Sequence, residues 1–118
     1  MTDSTKAVLD ELIPADSATS QTPVAAYGLT RTQRGQENTL LDQVRASIDD
    51  IRNDAGCQQY EVHAVIGDPG AFMFYECWAS GPDLLRHVQQ PFMATYWGYI
   101  SGLLDGEFQT HWVKPIGL

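Results

Sequence analysis

Two runs of aromatic and aliphatic residues, Gly56-Cys57-Gln58-Gln59-Tyr60-Glu61-Val62-His63-Ala64-Val65-Ile66 and Ala71-Phe72-Met73-Phe74-Tyr75-Glu76-Cys77-Trp78, flank Gly67-Asp68-Pro69-Gly70. The Gly and Pro residues supply the backbone angles of a turn, so the stretch predicts a β-hairpin. Side chains alternate across a strand, which puts Phe72, Phe74, Glu76 and Trp78 on one face and Met73, Tyr75 and Cys77 on the other. If Gly67 pairs with Gly70, Glu61 lies opposite Glu76, Gln59 opposite Trp78 and His63 opposite Phe74. One face then carries Glu61, His63, Glu76 and Trp78 together. A bulge reverses this parity and brings Tyr60 onto the Trp78 face instead.

The rest of the chain supplies the elements around that hairpin. Val24–Arg31 is apolar and strand-forming, and Thr32-Gln33-Arg34-Gly35 turns it. From Gln36 to Ala55, Leu40, Leu41, Val44, Ile48 and Ile51 recur at three and four, which predicts a helix with one buried stripe, closed by Gly56. Ser80 followed by Asp83 resembles a capping box, opening a short helix with Leu84, Leu85 and Val88 on its apolar side. Pro91 opens another, whose stripe is Phe92, Met93, Tyr96, Ile100, Leu103 and Leu104. Residues 107–114 alternate as a last strand. The order β-α-β-β-α-β, with helices on one sheet face, predicts a ferredoxin-like α+β sandwich. Residues 24–118 are read as one domain. Residues 1–23, with a short amphipathic piece at Val8–Ile13 stopped by Pro14, are read as an arm and linker.

A chain of 118 residues buries roughly two-thirds of its unfolded surface, enough for one core. Its 15 acidic residues against 7 basic ones give a formal charge of -8, which argues against nucleic acid or an anionic membrane as a partner. The N-terminus has no secretory pattern and no apolar run is long enough to span a bilayer, so a cytoplasmic protein is expected. Cys57 and Cys77 are expected to be buried thiols rather than a disulfide. Helices cover one sheet face only; the other, bulky and apolar, predicts a face-to-face homodimer, unless the N-terminal arm covers it within one chain.

The ordered set Arg34-Gly35-Gln36-Glu37, Gly56-Cys57 with Tyr60-Glu61, Asp68-Pro69, Phe74-Tyr75-Glu76-Cys77-Trp78-Ala79-Ser80, Asp83-Leu84 and His87 resembles the antibiotic biosynthesis monooxygenase family, including its quinol monooxygenase branch. The resemblance covers about residues 24 to 115. It implies a dimeric α+β barrel that oxidises a quinol, anthrone or polycyclic phenol with molecular oxygen and no flavin, haem or metal. No nucleotide-binding glycine motif or HExxH spacing speaks for a cofactor, and His63, His87 and His111 stand far apart, which leaves a metal site only if folding assembles one.

On this reading the substrate supplies the electrons, and the protein takes a proton, holds the anion and excludes water. The resemblance implies Trp78 as a cavity-lining ring, to stack on a planar substrate or donate its indole N–H, and His87 as base or acid. Glu76 is a candidate base or polar anchor. Tyr60, Phe74, Tyr96 and Trp97 are candidate substrate-binding residues. Each has a plainer reading: Trp78 and Tyr96 as core, His87 as a structural hydrogen-bond donor, and Glu61 and Glu76 as partners of Arg31, Arg34 or Lys114. Haem degradation, known in the wider fold, fits poorly because residues 24–31 contain no asparagine. His87 and Trp97 also stand roughly where a tryptophan and a histidine, respectively, would be expected. A non-catalytic binding protein for an aromatic metabolite is the alternative from another class.

Overall fold

A computed structural model of the chain describes residues 13–117. The amphipathic piece at Val8–Ile13 lies outside these residues except for its last position. The elements are α1 (Ala15–Ala18), β1 (Val24–Arg31), α2 (Glu37–Arg52), β2 (Cys57–Ala64), β3 (Ala71–Trp78), α3 (Gly81–Val88), α4 (Pro91–Ser101) and β4 (Gln109–Val113). The four strands form one antiparallel sheet in the order β2-β3-β1-β4. This is the ferredoxin-like α+β arrangement, with the second crossover split into α3 and α4.

The helices bury their apolar stripes against one sheet face. Leu40, Val44 and Ile51 of α2, Leu84 of α3, and Met93, Tyr96 and Ile100 of α4 meet Val24, Tyr60, Phe72, Phe74 and Trp78 in the core. The cap at α3 forms as its sequence predicts: Asp83 N–H donates to Ser80 Oγ at 3.2 Å, and the Ser80 hydroxyl donates to Asp83 Oδ2 at 3.0 Å.

Three details differ from the sequence expectation, and each shapes the space under the helices. The hairpin is not closed by Gly67 against Gly70. Val65 N–H bonds to Ala71 O at 3.0 Å, which leaves residues 66–70 in the connection. Two successive turns with Gly67 and Gly70 at positive φ (79° and 85°) hold it, and Asp68 is tied to Arg31 at 2.6 Å. The register therefore places Tyr60 opposite Glu76, Val62 opposite Phe74 and His63 opposite Met73, with a bulge between Cys57 and Gln59. Tyr60 turns inward. Glu61 and His63 turn to the opposite face, pairing with each other at 3.2 Å, so the expected sharing of one face by Glu61, His63, Glu76 and Trp78 does not occur.

Helix α2 ends at Arg52, before the expected Ala55, because the chain turns there: Asp54 N–H bonds to Ile51 O and Cys57 N–H to Asp54 O. β4 begins only at Gln109, since Phe108 leaves the sheet plane and crosses Gly28, where any Cβ would run into its ring.

Residues 13–23 pack on the helical side, α1 against α3. The uncovered sheet face carries Tyr27, Leu29 and Val113, all more than a third exposed, with Tyr27 stacked on His111 at 5.0 Å. Among the described residues, no helix is long and apolar enough to cross a membrane.

Candidate active site

Between sheet and helices lies a partly open cavity of about 90 Å³. Tyr60, Phe74 and Glu76 form its sheet wall, His87 and Val88 approach from α3, Met93 and Trp97 from α4, and Phe108, Thr110 and Trp112 close the β4 side. Apolar walls with a few convergent polar groups are the usual character of a small-molecule site. Phe108 meets Trp97 edge-on at 5.0 Å and Phe74 at 5.5 Å, fixing that corner.

His87 is 1% exposed. Its Nδ1 lies 2.9 Å from Asp54 Oδ2, and Asp54 Oδ1 accepts from Gln90 Nε2 at 3.1 Å. Its Nε2 has no hydrogen-bond partner among the described residues. The carboxylate assigns the proton to Nδ1 and leaves a lone pair on Nε2. Burial pushes the imidazole pKa below its ordinary value of 6.5, and Asp54 opposes the shift without reversing it. The side chain is thus a neutral, oriented base at neutral pH.

The ring of His87 stacks on Trp78, which is fully buried. Trp78 Nε1–H donates to Glu76 Oε1 at 2.9 Å. Burial raises the Glu76 carboxyl from 4.5 to about 7, against the smaller opposing pull of the Trp78 N–H. No cation pairs with Glu76 among the described residues; Arg31 is engaged by Asp68. Tyr60 Oη lies 3.1 Å from Tyr96 Oη, and burial holds both phenols neutral, Tyr96 with a pKa raised to about 12 and Tyr60 well above its ordinary value.

The structure thus gathers Tyr60, Phe74, Glu76, His87 and Trp97 on one cavity. Trp78 and Tyr96 stand one layer behind. The face of Trp78 expected to stack on a substrate is taken by His87, and its N–H by Glu76. Asp54 and Gln90, which orient His87, were not marked in the sequence: Asp54 stands 33 residues from His87 and carries no motif. No cluster of three or more His, Cys, Asp or Glu residues suited to a metal ion occurs among the described residues.

The fold and this cavity define a small α+β domain with a largely apolar cavity beside a buried histidine. The chain belongs to the antibiotic biosynthesis monooxygenase family, whose model matches residues 23–96. Among solved structures, it is similar to Rv0793 of Mycobacterium tuberculosis, with a TM-score of 0.74, 22% identity, and coverage of 82% of this chain and 98% of that one. It is also similar to PA3566 of Pseudomonas aeruginosa (TM-score 0.72, 23% identity, 81% and 96% covered). A conserved protein of Methanosarcina mazei Go1 shares the fold too (0.75, 15%, 80% and 93%). No curated protein matches the chain significantly.

Proposed function

We propose that the protein is a monooxygenase that admits a phenol or hydroquinone and oxidises it with molecular oxygen, the substrate supplying the electrons. The observation that supports this reading best is the buried, unpartnered Nε2 of His87, a cavity-lining residue whose Nδ1 is held by Asp54. For a phenolic substrate, Nε2 takes the hydroxyl proton, and the imidazolium formed is stabilised by Asp54. The phenolate passes one electron to oxygen. Ring radical and superoxide then combine at a ring carbon, forming the C–O bond, and the imidazolium returns its proton to the peroxide.

Loss of water from the hydroperoxide, taking the hydrogen on that carbon, leaves a carbonyl. One oxygen atom stays in the product and the other leaves as water. The ring gives up two hydrogens and the four electrons that oxygen accepts. Below about pH 7 the Glu76 carboxyl keeps its proton and donates it in a hydrogen bond to the substrate's developing oxyanion or carbonyl oxygen. Tyr60, Phe74 and Trp97 exclude water.

This reading includes a homodimer joined through the bare sheet face around Tyr27 and Leu29, whose exposure supports it. A cytoplasmic location fits the two free thiols, Cys57 and Cys77.

Oxygen uptake with a panel of phenols and hydroquinones tests the proposal. A protein-dependent rate, lost in His87→Ala, is expected. Saturable quenching of tryptophan fluorescence with no uptake above the blank would sink it in favour of a binding protein.

A further inference from the structure

One wall of the cavity comes from the chain that precedes the family match, which spans residues 23–96. Ile13 is 7% exposed and reaches the same space as Glu76, His87 and Trp112. We infer that Ile13 is a specificity-determining residue, delivered by the N-terminal arm, that restricts the cavity to substrates of one aromatic ring. The inference rests on the proposed function for its substrate class.

Two local features fix Ile13 there. The carbonyl of Pro14, the next residue, accepts from Ser17 N–H at 3.0 Å and Ala18 N–H at 2.9 Å, winding α1. The arm is then docked on α3, where Gly81 N–H donates to Ser20 O at 2.7 Å. Gly81 has no side chain to hold the arm away; a Cβ at that position would fall on Ser17 O and Ala18 O. Because α3 also carries His87, the wall and the base are set by one helix. A β-branched side chain with a restricted χ1 makes that wall stiff.

Size decides what such a wall admits. An engineered apolar cavity of ~150 Å³ takes benzene, whereas this cavity has about 90 Å³. A single ring must therefore use the partly open mouth as well, and the Ile13 side chain takes up lining space that a second fused ring would need.

The test uses the full chain and its Ile13→Ala, Ile13→Val and Gly81→Ala variants, the last to undock the arm without altering the wall residue. For each, kcat/KM is compared between hydroquinone and 1,4-naphthohydroquinone, and Kd between phenol and 1-naphthol by tryptophan fluorescence. Ile13→Ala is expected to shift both ratios toward the two-ring compound by about tenfold or more, since a single methylene in an apolar pocket already carries about that much. Gly81→Ala is expected to move them the same way, and Ile13→Val less. Unchanged ratios in the Ile13 variants overturn the inference. If no form turns over any quinol, the proposed function fails, and the Kd ratio alone decides the role of Ile13. Ile13→Val keeps the test decisive if Ile13→Ala does not fold.

Discussion

The imidazole of His87 lies over the indole of Trp78 with ring centroids 4.1 Å apart and 27° between the planes. Trp78 also binds Glu76 through its N–H, so one buried ring stands between Glu76 and His87. Perturbing any of the three should register in the others.

Asp54→Asn should lower kcat/KM by on the order of a hundredfold or more, the usual weight of a positioned acid–base group, with the melting temperature little changed. Replacing carboxylate by amide removes the partner that fixes the Nδ1 proton and stabilises the imidazolium. A wild-type rate in this variant would dissociate His87 from proton transfer.

The wild-type pH profile of kcat/KM should rise through a value below 6.5, as His87 loses its proton, and fall near 7, as Glu76 loses its own. Glu76→Gln keeps a donor but cannot ionise, so the falling limb should vanish. Stability supplies a second readout. The Glu76 pKa is raised on folding, so the native state holds its proton more tightly, and stability declines as pH rises from about 4.5 to about 7. That displacement corresponds to on the order of 3 kcal/mol. Glu76→Gln should therefore melt higher than wild type at pH 8 and not at pH 4. His87 runs the other way: its pKa is lowered, so its contribution is present above 6.5 and is lost as pH falls below it.

Trp78→Phe keeps most of the packing and deletes the N–H that holds the Glu76 pKa down. The falling limb should move above 7. A limb that stays in place would assign it to a group other than Glu76.

Gly28→Ala should destabilise the domain, because the new methyl displaces the Phe108 ring. Two edge-on aromatic contacts go with it, each worth about 0.5–1.5 kcal/mol, so a loss of about 2 kcal/mol is expected by chemical denaturation.

Leu29→Glu, on the bare face and 57% exposed, should convert a dimer to monomers in sedimentation equilibrium while leaving the fold intact. A wild-type chain that sediments as a monomer would remove the dimer proposal outright.

Element order was legible because it rests on local signals: the stripe of Leu40, Val44 and Ile51, the cap at Ser80 and Asp83, and Pro91 at the start of α4. Of the residues around the cavity, Tyr60, Phe74, Glu76, His87 and Trp97 were legible as candidates because they line one strand face or match family positions. Two things were not. The facing of Glu61 and His63 depends on loop parity, which the Gly and Pro residues of 67–70 suggest but do not set. Asp54 acquires its role only through the early end of α2 and the approach of α3, a long-range packing outcome that no residue spacing encodes.

The odd-length connection at residues 66–70 has a consequence for how such domains can diversify. Removing one residue there, with β3 unmoved, slides β2 by one position: Tyr60 leaves the interior while Glu61 and His63 enter it. A deletion remote from the cavity would thus exchange a neutral phenol for an imidazole and a carboxylate with no substitution in the cavity wall. In this hairpin, loop length is a chemical variable.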